Sequence, residues 1–422
     1  MDQIRIRGGK PLRGEVEVSG SKNAALPILI ATLLTDQPCR LHRVPNLRDI
    51  RTTIKLLGHL GSRIDADFSV NSLSLQILDS TPIEAPYDLV RTMRASVLVL
   101  GPLLARRGQA RVSLPGGCAI GARPINFHLL GLERLGAKID LENGYVIASA
   151  KKLRGNRVAF EFPSVGATEN LMMAAVLAEG ESLLENCAKE PEIVDLARAL
   201  RAMGAKIEGE GTELISIQGQ PSLSGCDYQI MGDRIEAATF LAAAFATGGA
   251  VKVTGIDPEV IEAVLAKFEE AGARVTRGVG SVALESLGRP RATQITTLPF
   301  PGFPTDMQAQ FMAAMAIADG TSVITETIFE NRFMHVPELA RLGADITIRG
   351  HSAVVQGQSS LQGAPLMATD LRASASLVVG ALSAAGETVV SRVYHLDRGY
   401  ERMEEKLRKL GADIQRIAGA EV

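Results

Sequence analysis

The sequence predicts an α/β protein of two lobes, each made of three similar units. The first observation is a Gly-small-charged-Ile/Val tag that occurs six times, beginning at Gly61, Gly136, Gly204, Gly272, Gly343 and Gly411. Successive tags begin 75, 68, 68, 71 and 68 residues apart. Each tag closes an amphipathic segment. Its glycine suits the left-handed residue that ends a helix, and its Ile or Val suits the start of a strand.

The second observation is a more apolar helical segment ahead of each amphipathic one. These segments are rich in Ala, Leu and Met around their whole circumference, which is typical of helices buried inside their unit. They are Ala24–Leu34, Ala95–Ala105, Glu169–Ala178, Ile235–Ala246, Met307–Ala318 and Leu371–Ala384.

The third observation is a set of short alternating runs between the helices. Runs such as Glu15–Ser19, Ala110–Leu114 and Ser322–Thr325 predict strands, because apolar and polar residues alternate along them. The unit is therefore strand-helix-strand-helix-strand-strand, or βαβαββ.

Six such units predict one lobe over residues 22–231 and a second lobe over residues 1–21 and 232–422, with a crossover near Gly232. The first strand is expected to pair with the C-terminal half. A solenoid is the alternative architecture, but these units exceed the usual solenoid period of about 20–50 residues. We therefore expect two lobes with a cleft between them.

Composition and charge exclude several classes of function. The 422 residues are 46% hydrophobic and 22% charged, with 45 basic and 47 acidic residues and a net charge of −2. This balance gives no electrostatic support for nucleic-acid or membrane binding. The longest apolar stretches fall short of the roughly 20 residues of a membrane span. The sequence carries no signal for a particular oligomeric state.

Cysteines and histidines give no metal-ligand spacing, so no metal site is predicted. The four cysteines are widely scattered, which fits a reducing cytoplasm. Cys39, Cys187 and Cys226 lie in apolar or turn contexts and are expected to be inert.

Cations occur where helix dipoles disfavour them. Lys22, Arg94 and Arg372 lie in the predicted first turns of apolar helices. The amphipathic helices repeat the pattern at Arg123, Arg332 and Arg398. Any one of them alone is most simply a surface cation. Six at matching positions indicate an anion cradle for phosphate or carboxylate.

A glycine-rich loop over residues 113–124 contains Cys118, with Arg123 and Pro124 at its end. A cysteine near an arginine can have a lowered pKa and act as an acid or nucleophile, or it can simply be a small loop residue. Asp306 is predicted in the first turn of an apolar helix with Thr305 as its cap. It can be an ordinary first-turn acid, or a base that takes a proton from a substrate hydroxyl. Glu190, Glu192 and Asp195 look like ordinary first-turn acids.

Several motifs closely resemble the family of UDP-N-acetylglucosamine enolpyruvyl transferases, and the resemblance runs from end to end. These motifs are Ser19–Ala25, Pro115–Pro124, Phe303–Gln310, Glu326–His335, Asp370–Ser376 and His395–Arg402. The resemblance implies an inside-out α/β barrel (the α/β prism), with two lobes of three βαβαββ units and a cleft that closes on substrate.

The resemblance also implies a reaction. The enolpyruvyl group of phosphoenolpyruvate passes to the 3′-hydroxyl of UDP-N-acetylglucosamine with release of phosphate, the first committed step of peptidoglycan precursor synthesis. Both substrates are small molecules, and no cofactor is implied. Cys118 would be the general acid toward C3, would be able to form a covalent adduct with phosphoenolpyruvate, and would make the protein sensitive to fosfomycin.

The implied site residues follow by matching positions. Asp306 would be the base, with Lys22 and Arg398 completing the catalytic set. Phosphoenolpyruvate would contact Lys22, Asn23, Arg123 and Arg398, with Arg332 and Arg372 beside them. The nucleotide sugar would contact Arg94, Arg123, Pro124, Ile125, Asn126, Phe127, Ser164, Val165, Gly166, Asp306 and Ile328.

The chain departs from the family pattern at three places. Asn126 stands where an Asp is expected, which puts any contact needing a carboxylate in doubt, while Leu98 and Phe162-Pro163 do not touch the implied chemistry. Three alternatives remain: a shikimate-pathway enolpyruvyl transferase, an RNA 3′-phosphate cyclase, and a catalytically silent paralogue that binds or regulates. The Cys118 loop and the Asp370–Ser376 motif suit the nucleotide-sugar enzyme better than its shikimate relative.

Overall fold

Each unit of the repeat forms one four-stranded sheet in the structure, a computed structural model that describes residues 2–91, 93–114 and 125–419. Cys118, Arg123 and Pro124 lie outside the described residues. The α/β class predicted from the sequence is confirmed.

The described strands are β1 Gln3–Arg7, β2 Arg13–Glu17, β3 Cys39–His42, β4 Ser62–Asp67, β5 Ser72–Ile77, β6 Glu84–Ala85, β7 Gln109–Ser113, β8 Lys138–Glu142, β9 Tyr145–Ser149, β10 Arg157–Ala159, β11 Glu181–Glu185, β12 Lys206–Glu208, β13 Leu214–Gln218, β14 Asp227–Gln229, β15 Ala250–Thr254, β16 Ala273–Gly278, β17 Ser281–Ser286, β18 Gln294–Thr296, β19 Thr321–Thr325, β20 Asp345–Arg349, β21 Ser352–Gln356, β22 Pro365–Met367, β23 Glu387–Ser391 and β24 Asp413–Ile417.

The described α-helices are α1 Lys22–Ala31, α2 Arg48–His59, α3 Tyr87–Val90, α4 Leu100–Arg107, α5 Asn126–Arg134, α6 Val165–Ala175, α7 Pro191–Ala202, α8 Arg234–Ala246, α9 Glu262–Glu270, α10 Gln308–Met315, α11 Val336–Arg341, α12 Leu371–Ser383 and α13 Met403–Lys409. Short 3-10 helices cover Thr32–Leu34, Arg94–Val99, Pro258–Ile261, Thr305–Met307 and Val393–Arg398.

The described residues group into two compact units. The N-terminal unit holds residues 20–114 and 125–231, and the C-terminal unit holds residues 2–19 and 232–419. The N-terminal unit has the sheets β14-β3-β5-β4, β6-β7-β9-β8 and β10-β11-β13-β12. The C-terminal unit has the sheets β2-β15-β17-β16, β18-β19-β21-β20 and β22-β23-β1-β24.

All six sheets share one pairing pattern. The first pair of strands is parallel and the other two pairs are antiparallel, as the ladders β18 with β19, β19 with β21 and β20 with β21 illustrate. Strand β1 pairs with β23 and β24, as the sequence predicted. Strand β14, just before the crossover, completes the sheet of β3.

The six tag glycines end helices as predicted. Their φ angles are 92, 94, 98, 104, 92 and 94° in chain order. A left-handed residue of this kind is favourable for glycine because it has no Cβ to meet the backbone. A strand begins within two residues of each, so the tag fixes where the chain turns from the amphipathic helix into the sheet.

The apolar helices form the centre of each unit. In the C-terminal unit α8, α10 and α12 pack on one another, and every residue of α8 is buried. In the N-terminal unit α4 packs on α6, and the 3-10 helix Arg94–Val99 contacts both α1 and α6. Their near-uniform apolar surface is what such central positions require.

Among the described residues, every helix is too short or too polar to span a membrane. Within the same residues, no group of three or more His, Cys, Asp or Glu side chains is placed to hold a metal ion.

Replacing a helical glycine by alanine should have opposite effects on stability at two positions of the N-terminal unit. Gly58→Ala in α2 should raise the free energy of unfolding by about 0.5–1 kcal/mol, because a Cβ there meets nothing within 4 Å. Gly101→Ala in α4 should lower it by about 1–3 kcal/mol, because its Cβ would lie 2.4 Å from the backbone oxygen of Asn170. Urea unfolding of both variants measures this, and effects of equal sign would contradict it.

Candidate active site

The predicted site residues occur in both units. The N-terminal unit contains Lys22, Asn23, Arg94, Ile125, Asn126, Phe127, Ser164, Val165 and Gly166, and the C-terminal unit contains Asp306, Ile328, Arg332, Arg372 and Arg398. Within each unit the structure brings some of them into direct contact.

In the C-terminal unit the carboxylate of Asp306 is held by two arginines. Arg372 donates to Oδ2 through Nη2 at 2.7 Å and through Nε at 3.1 Å. Nη2 of Arg332 lies 2.8 Å from Oδ1. The arginine side chains are 4% and 8% exposed, whereas that of Asp306 is 26% exposed. The carboxylate is therefore fixed by buried partners while part of it stays accessible.

The charge of Arg372 is set by its neighbours. Burial alone lowers the pKa of its guanidinium, but the charges of Asp306, Tyr400 and Asp233 and the hydrogen bond to Asp306 raise the pKa above the usual value. Arg372 therefore stays a cation in a fully buried position. Asp370 caps the same helix by accepting from the backbone N–H groups of Arg372 and Ala373 at 2.9 and 3.0 Å.

The hydroxyl of Tyr400 ties the three central helices of this unit together. It lies 2.9 Å from Oγ1 of Thr239 in α8, and it accepts from Nε2 of Gln310 in α10 at 3.0 Å and from Nη1 of Arg372 in α12 at 3.3 Å. Nε2 of Gln310 also donates to the backbone oxygen of Asp306 at 2.9 Å. The network therefore positions both members of the ion pair.

A buried glutamate organises the loop that contains Ile328. Glu326 accepts from the backbone N–H groups of Ile328 and Phe329 at 2.8 and 3.1 Å. Its other oxygen accepts from Oγ1 of Thr305 at 2.8 Å, and Thr305 in turn accepts from Nη1 of Arg332 at 2.9 Å. Glu326 thus orders the loop and, through Thr305, the arginine that holds Asp306.

Two sequence expectations about this region were wrong in detail. Thr305 does not cap a helix, since the 3-10 helix Thr305–Met307 has Pro304 at its N-cap without a side-chain bond. Arg332 and Arg398 are not in the first turns of the amphipathic helices. Arg332 precedes α11 at Val336, and Arg398 ends the 3-10 helix Val393–Arg398 ahead of α13 at Met403. Both helices begin later than the periodicity predicted, because irregular turns come first.

In the N-terminal unit Lys22 begins α1, as predicted. Its Nζ lies 3.6 Å from Oδ2 of Asp49, and its side chain is 12% exposed. Ser21 caps the helix by accepting from the N–H of Ala24 at 3.3 Å, and the N–H of Ser21 donates to the backbone oxygen of Met231 at 2.8 Å. Asn23 follows in the first turn and is half-buried.

Asp195 supports this helix start, which sequence reasoning missed. Instead of an ordinary first-turn acid, it is a buried acceptor from the hydroxyl of Tyr228 at 2.6 Å and from the N–H of Met231 at 3.2 Å. Burial raises the pKa of Asp195, while the bonds from Tyr228 and Met231 oppose that shift. Through Met231 and Ser21, Asp195 fixes the segment from which Lys22 projects.

The start of α6 contains Ser164, Val165 and Gly166. Ser164 caps it by accepting from the N–H of Ala167 at 3.4 Å, and its first turn has no acidic residue. A helix N-terminus of this kind favours an anion. A Cβ on Gly166 would lie 3.3 Å from Cε1 of His128, so a side chain there would require the imidazole to move by a few tenths of an ångström.

His128 belongs to a buried hydrogen-bonded group. Its Nδ1 accepts from Nδ2 of Asn170 at 3.0 Å, since an amide nitrogen can only donate. Oδ1 of Asn170 accepts from the N–H of Gly101 at 2.8 Å. Burial, with the charge of Arg94 as a second cause, lowers the pKa of His128 to about 4, so its ring is neutral. Arg94 begins its 3-10 helix and is half-buried.

The remaining predicted residues lie at element boundaries. Ile125 is the N-cap residue of α5, and Asn126 and Phe127 are its first two residues. Arg398 follows Asp397, which Arg416 holds at 2.6 and 3.1 Å. Each unit offers cations and helix starts that suit anions, and the C-terminal unit also holds the partly exposed carboxylate of Asp306, which can take up a proton.

A family model and individual relatives of this chain point to the same family of proteins. A model of the EPSP synthase (3-phosphoshikimate 1-carboxyvinyltransferase) family matches residues 6–407. UDP-N-acetylglucosamine 1-carboxyvinyltransferase of Nitratidesulfovibrio vulgaris, strain DSM 19637 / Miyazaki F, is 60% identical over 99% of this chain and 100% of its own. The same-named protein of strain DP4 is 59% identical with the same coverage.

Solved structures agree in fold. The enolpyruvyl transferase NikO from Streptomyces tendae has a TM-score of 0.88 at 26% identity, covering 99% of both chains. EPSP synthase from Acinetobacter baumannii has a TM-score of 0.76 at 19% identity, covering 99% of this chain and 100% of its own. The second similarity concerns the fold alone.

Removing the hydroxyl of Tyr400 should destabilise the C-terminal unit. Tyr400→Phe removes one buried hydrogen-bond partner from each of Thr239, Gln310 and Arg372, so the free energy of unfolding should fall by about 1–3 kcal/mol. Tyr87→Phe is the control, because Tyr87 is 52% exposed and its change should stay within about 0.5 kcal/mol. Denaturant unfolding compares the two, and equal small effects would refute the role assigned to Tyr400.

The buried imidazole of His335 should make the stability of the protein depend on pH. Burial is the main cause that lowers its pKa from 6.5 to about 4, so the folded ring stays neutral while the unfolded ring gains a proton below 6.5. Its contribution to stability is therefore present above pH 6.5 and is lost as the pH falls toward 4. The stability difference between wild type and His335→Gln should shrink by roughly 1 kcal/mol from pH 7 to 5.5. Urea titrations at both pH values test this, and a constant difference would contradict it.

Proposed function

This chain belongs to the enolpyruvyl transferase family, and we propose that it transfers the enolpyruvyl group of phosphoenolpyruvate to the 3′-hydroxyl of UDP-N-acetylglucosamine, releasing phosphate. The observation that carries the choice of acceptor is 60% identity over 99% of the chain to a protein named for that reaction. The reaction is the first committed step of peptidoglycan precursor synthesis, which we assign to the cytoplasm.

We assign proton transfer from the acceptor to Asp306. Its carboxylate is partly exposed and is held on both oxygens by Arg332 and Arg372, so its orientation is set before substrate arrives. A positioned carboxylate can take the proton of a sugar hydroxyl as the oxygen attacks C2 of phosphoenolpyruvate. The proton that C3 needs comes from the thiol of Cys118.

The transfer takes place by an addition step followed by an elimination step. The 3′-oxygen bonds to C2, C3 gains the proton of Cys118, and Asp306 takes the hydroxyl proton. C3 then returns a proton to the Cys118 thiolate, which restores the double bond as the C2–O bond to phosphate breaks. Cys118 can also add to C2 itself and hold phosphoenolpyruvate covalently.

We assign the anionic groups of the substrates to the cations and helix starts. Phosphoenolpyruvate is bound by Lys22, Asn23, Arg123 and Arg398, with Arg332 and Arg372 beside them. The nucleotide sugar is bound by Arg94, residues 123–127, the α6 start from Ser164 to Gly166, Asp306 and Ile328. The capped, acid-free start of α6 supports this assignment, because its N–H groups suit a diphosphate. No cofactor or metal enters the proposal.

We also propose the finer architecture, an inside-out α/β barrel in each unit. The packing of α8, α10 and α12 on one another supports it, since helices occupy the centre that strands fill in an ordinary barrel. Each of these helices also packs against strands of its own unit, such as α8 against β15 and β17.

Phosphate release from phosphoenolpyruvate tests the function. Wild type should release phosphate only when UDP-N-acetylglucosamine is present, and Cys118→Ala and Asp306→Asn should each lose about 10²–10⁴-fold in rate, the usual worth of a general acid or base. Cys187→Ala, at a buried cysteine outside the proposed chemistry, is the control. Fosfomycin should abolish release by wild type.

Two outcomes would overturn the proposal. Release that depends on shikimate 3-phosphate would make the chain a shikimate-pathway enzyme. No release with either acceptor, from protein that binds UDP-N-acetylglucosamine, would make it a binding or regulatory paralogue.

A further inference from the structure

Two cysteines far apart in sequence lie opposite each other in the N-terminal unit. Strand β3 begins at Cys39, and β14 begins one residue after Cys226. The parallel ladder pairs Arg40 with Asp227, and the N–H of Arg40 donates to the backbone oxygen of Cys226 at 2.7 Å. One step back along both strands therefore places Cys39 beside Cys226.

The two segments are held together on the far side of the cysteines as well. A Cβ on Gly225 would lie 2.0 Å from the backbone oxygen of Pro38, which shows how closely the backbones approach. The N–H of Gly225 donates to Oε1 of Gln37 at 3.2 Å, and Oγ1 of Thr35 donates to the backbone oxygen of Leu223 at 2.8 Å. Contacts before and after the pair keep the thiols in register.

This spacing suits a disulfide. Neighbouring strands lie about 4.7–4.9 Å apart, inside the roughly 4.4–6.8 Å range of Cα separations that disulfides bridge. The side chains of directly opposite residues in parallel strands project to the same face. The bond from the N–H of Arg40 to the backbone oxygen of Cys226, at 2.7 Å, fixes this pairing next to the two sulfurs.

The two thiols differ in access. Cys39 is fully buried, whereas Cys226 is partly exposed. A small oxidant in solution therefore meets the sulfur of Cys226 first. Cys187, by contrast, is buried and has no cysteine opposite it among the described residues of its sheet, and burial raises its pKa to about 12.

We propose that Cys39 and Cys226 form a reversible oxidation site that closes to a disulfide on reaction with hydrogen peroxide. Peroxide enters at Cys226, the sulfur with exposed surface. The sulfur of Cys226 attacks one peroxide oxygen as the thiol proton leaves, the O–O bond breaks, and a sulfenic acid and one water form. Cys39 then attacks that sulfur and displaces a second water. Two thiols lose two electrons, and one peroxide becomes two waters.

The bond would close a loop of nearly the whole N-terminal unit. It joins the short edge strand β14, which pairs only with β3 among the described strands, to the start of β3, the first strand of the N-terminal unit. Closing a long loop restricts the unfolded chain more than closing a short one. The oxidised protein should therefore melt at a higher temperature than the reduced protein.

Peptide mapping tests the proposal on the full chain. The protein is treated with hydrogen peroxide, denatured, alkylated with iodoacetamide and digested. We expect a linked peptide pair containing Cys39 and Cys226, lost on dithiothreitol treatment. Cys187→Ala should give the same link, and Cys226→Ser should give none while Cys39 is recovered alkylated. Differential scanning calorimetry should show the higher melting temperature in wild type and Cys187→Ala only.

Two results would overturn the proposal. One is recovery of Cys39 and Cys226 as alkylated thiols at a peroxide dose that oxidises Cys118. The other is oxidation of Cys226 to sulfinic acid while Cys39 stays free. Mapping of the wild type decides between these outcomes even if Cys226→Ser does not fold.

Discussion

A buried arginine in the first turn of a buried helix needs a carboxylate, and the C-terminal unit is arranged around meeting that need. Arg372 is 3% exposed, and the N-terminus of α12 adds a further unfavourable positive field. An unpaired charge in such a place would cost several kcal/mol or more. Asp306, at the start of the segment that leads into α10, supplies the counter-charge. The ion pair therefore fixes how the starts of these two helices lie against each other.

Polar groups inside apolar helices likewise fix how neighbouring helices pack at other contacts. Thr239 and Gln310 meet at Tyr400 in one unit, and Asn170 joins His128 to Gly101 in the other. Apolar surfaces rich in Ala and Leu pack well in more than one register, whereas a buried hydrogen bond is satisfied in only one. These few polar residues therefore select one packing register between the helices. In that register the helix starts, which carry the cations and the free N–H groups, are correctly placed.

The sequence predicted the local features and the pairing of the first strand with the C-terminal half, but it missed the side-chain contacts between distant residues. The six helix-ending glycines and the central apolar helices follow from the periodicity of the sequence. The same periodicity places Lys22, Arg94 and Arg372 at helix starts, against the preference of the helix dipole. The partnership of Asp306 with Arg372, 66 residues away, and of Glu326 with Thr305 cannot be seen in a local pattern. Asp195 matched the ordinary first-turn acid in every local respect, and only its contacts with Tyr228 and Met231 distinguish it.

The exposure gradient across the ion pair joins stability to chemistry. Moving outward, the side chains of Arg372, Arg332 and Asp306 are 4, 8 and 26% exposed. Tyr400 accepts a hydrogen bond from Arg372, and Thr305 accepts one from Arg332, so both cations are held in place. The carboxylate of Asp306 contacts both arginines and remains partly exposed. A base placed this way loses little orientational freedom when a hydroxyl arrives, because the folded chain has already fixed it. The interactions that stabilise the unit are thus the same ones that prepare its carboxylate for proton transfer.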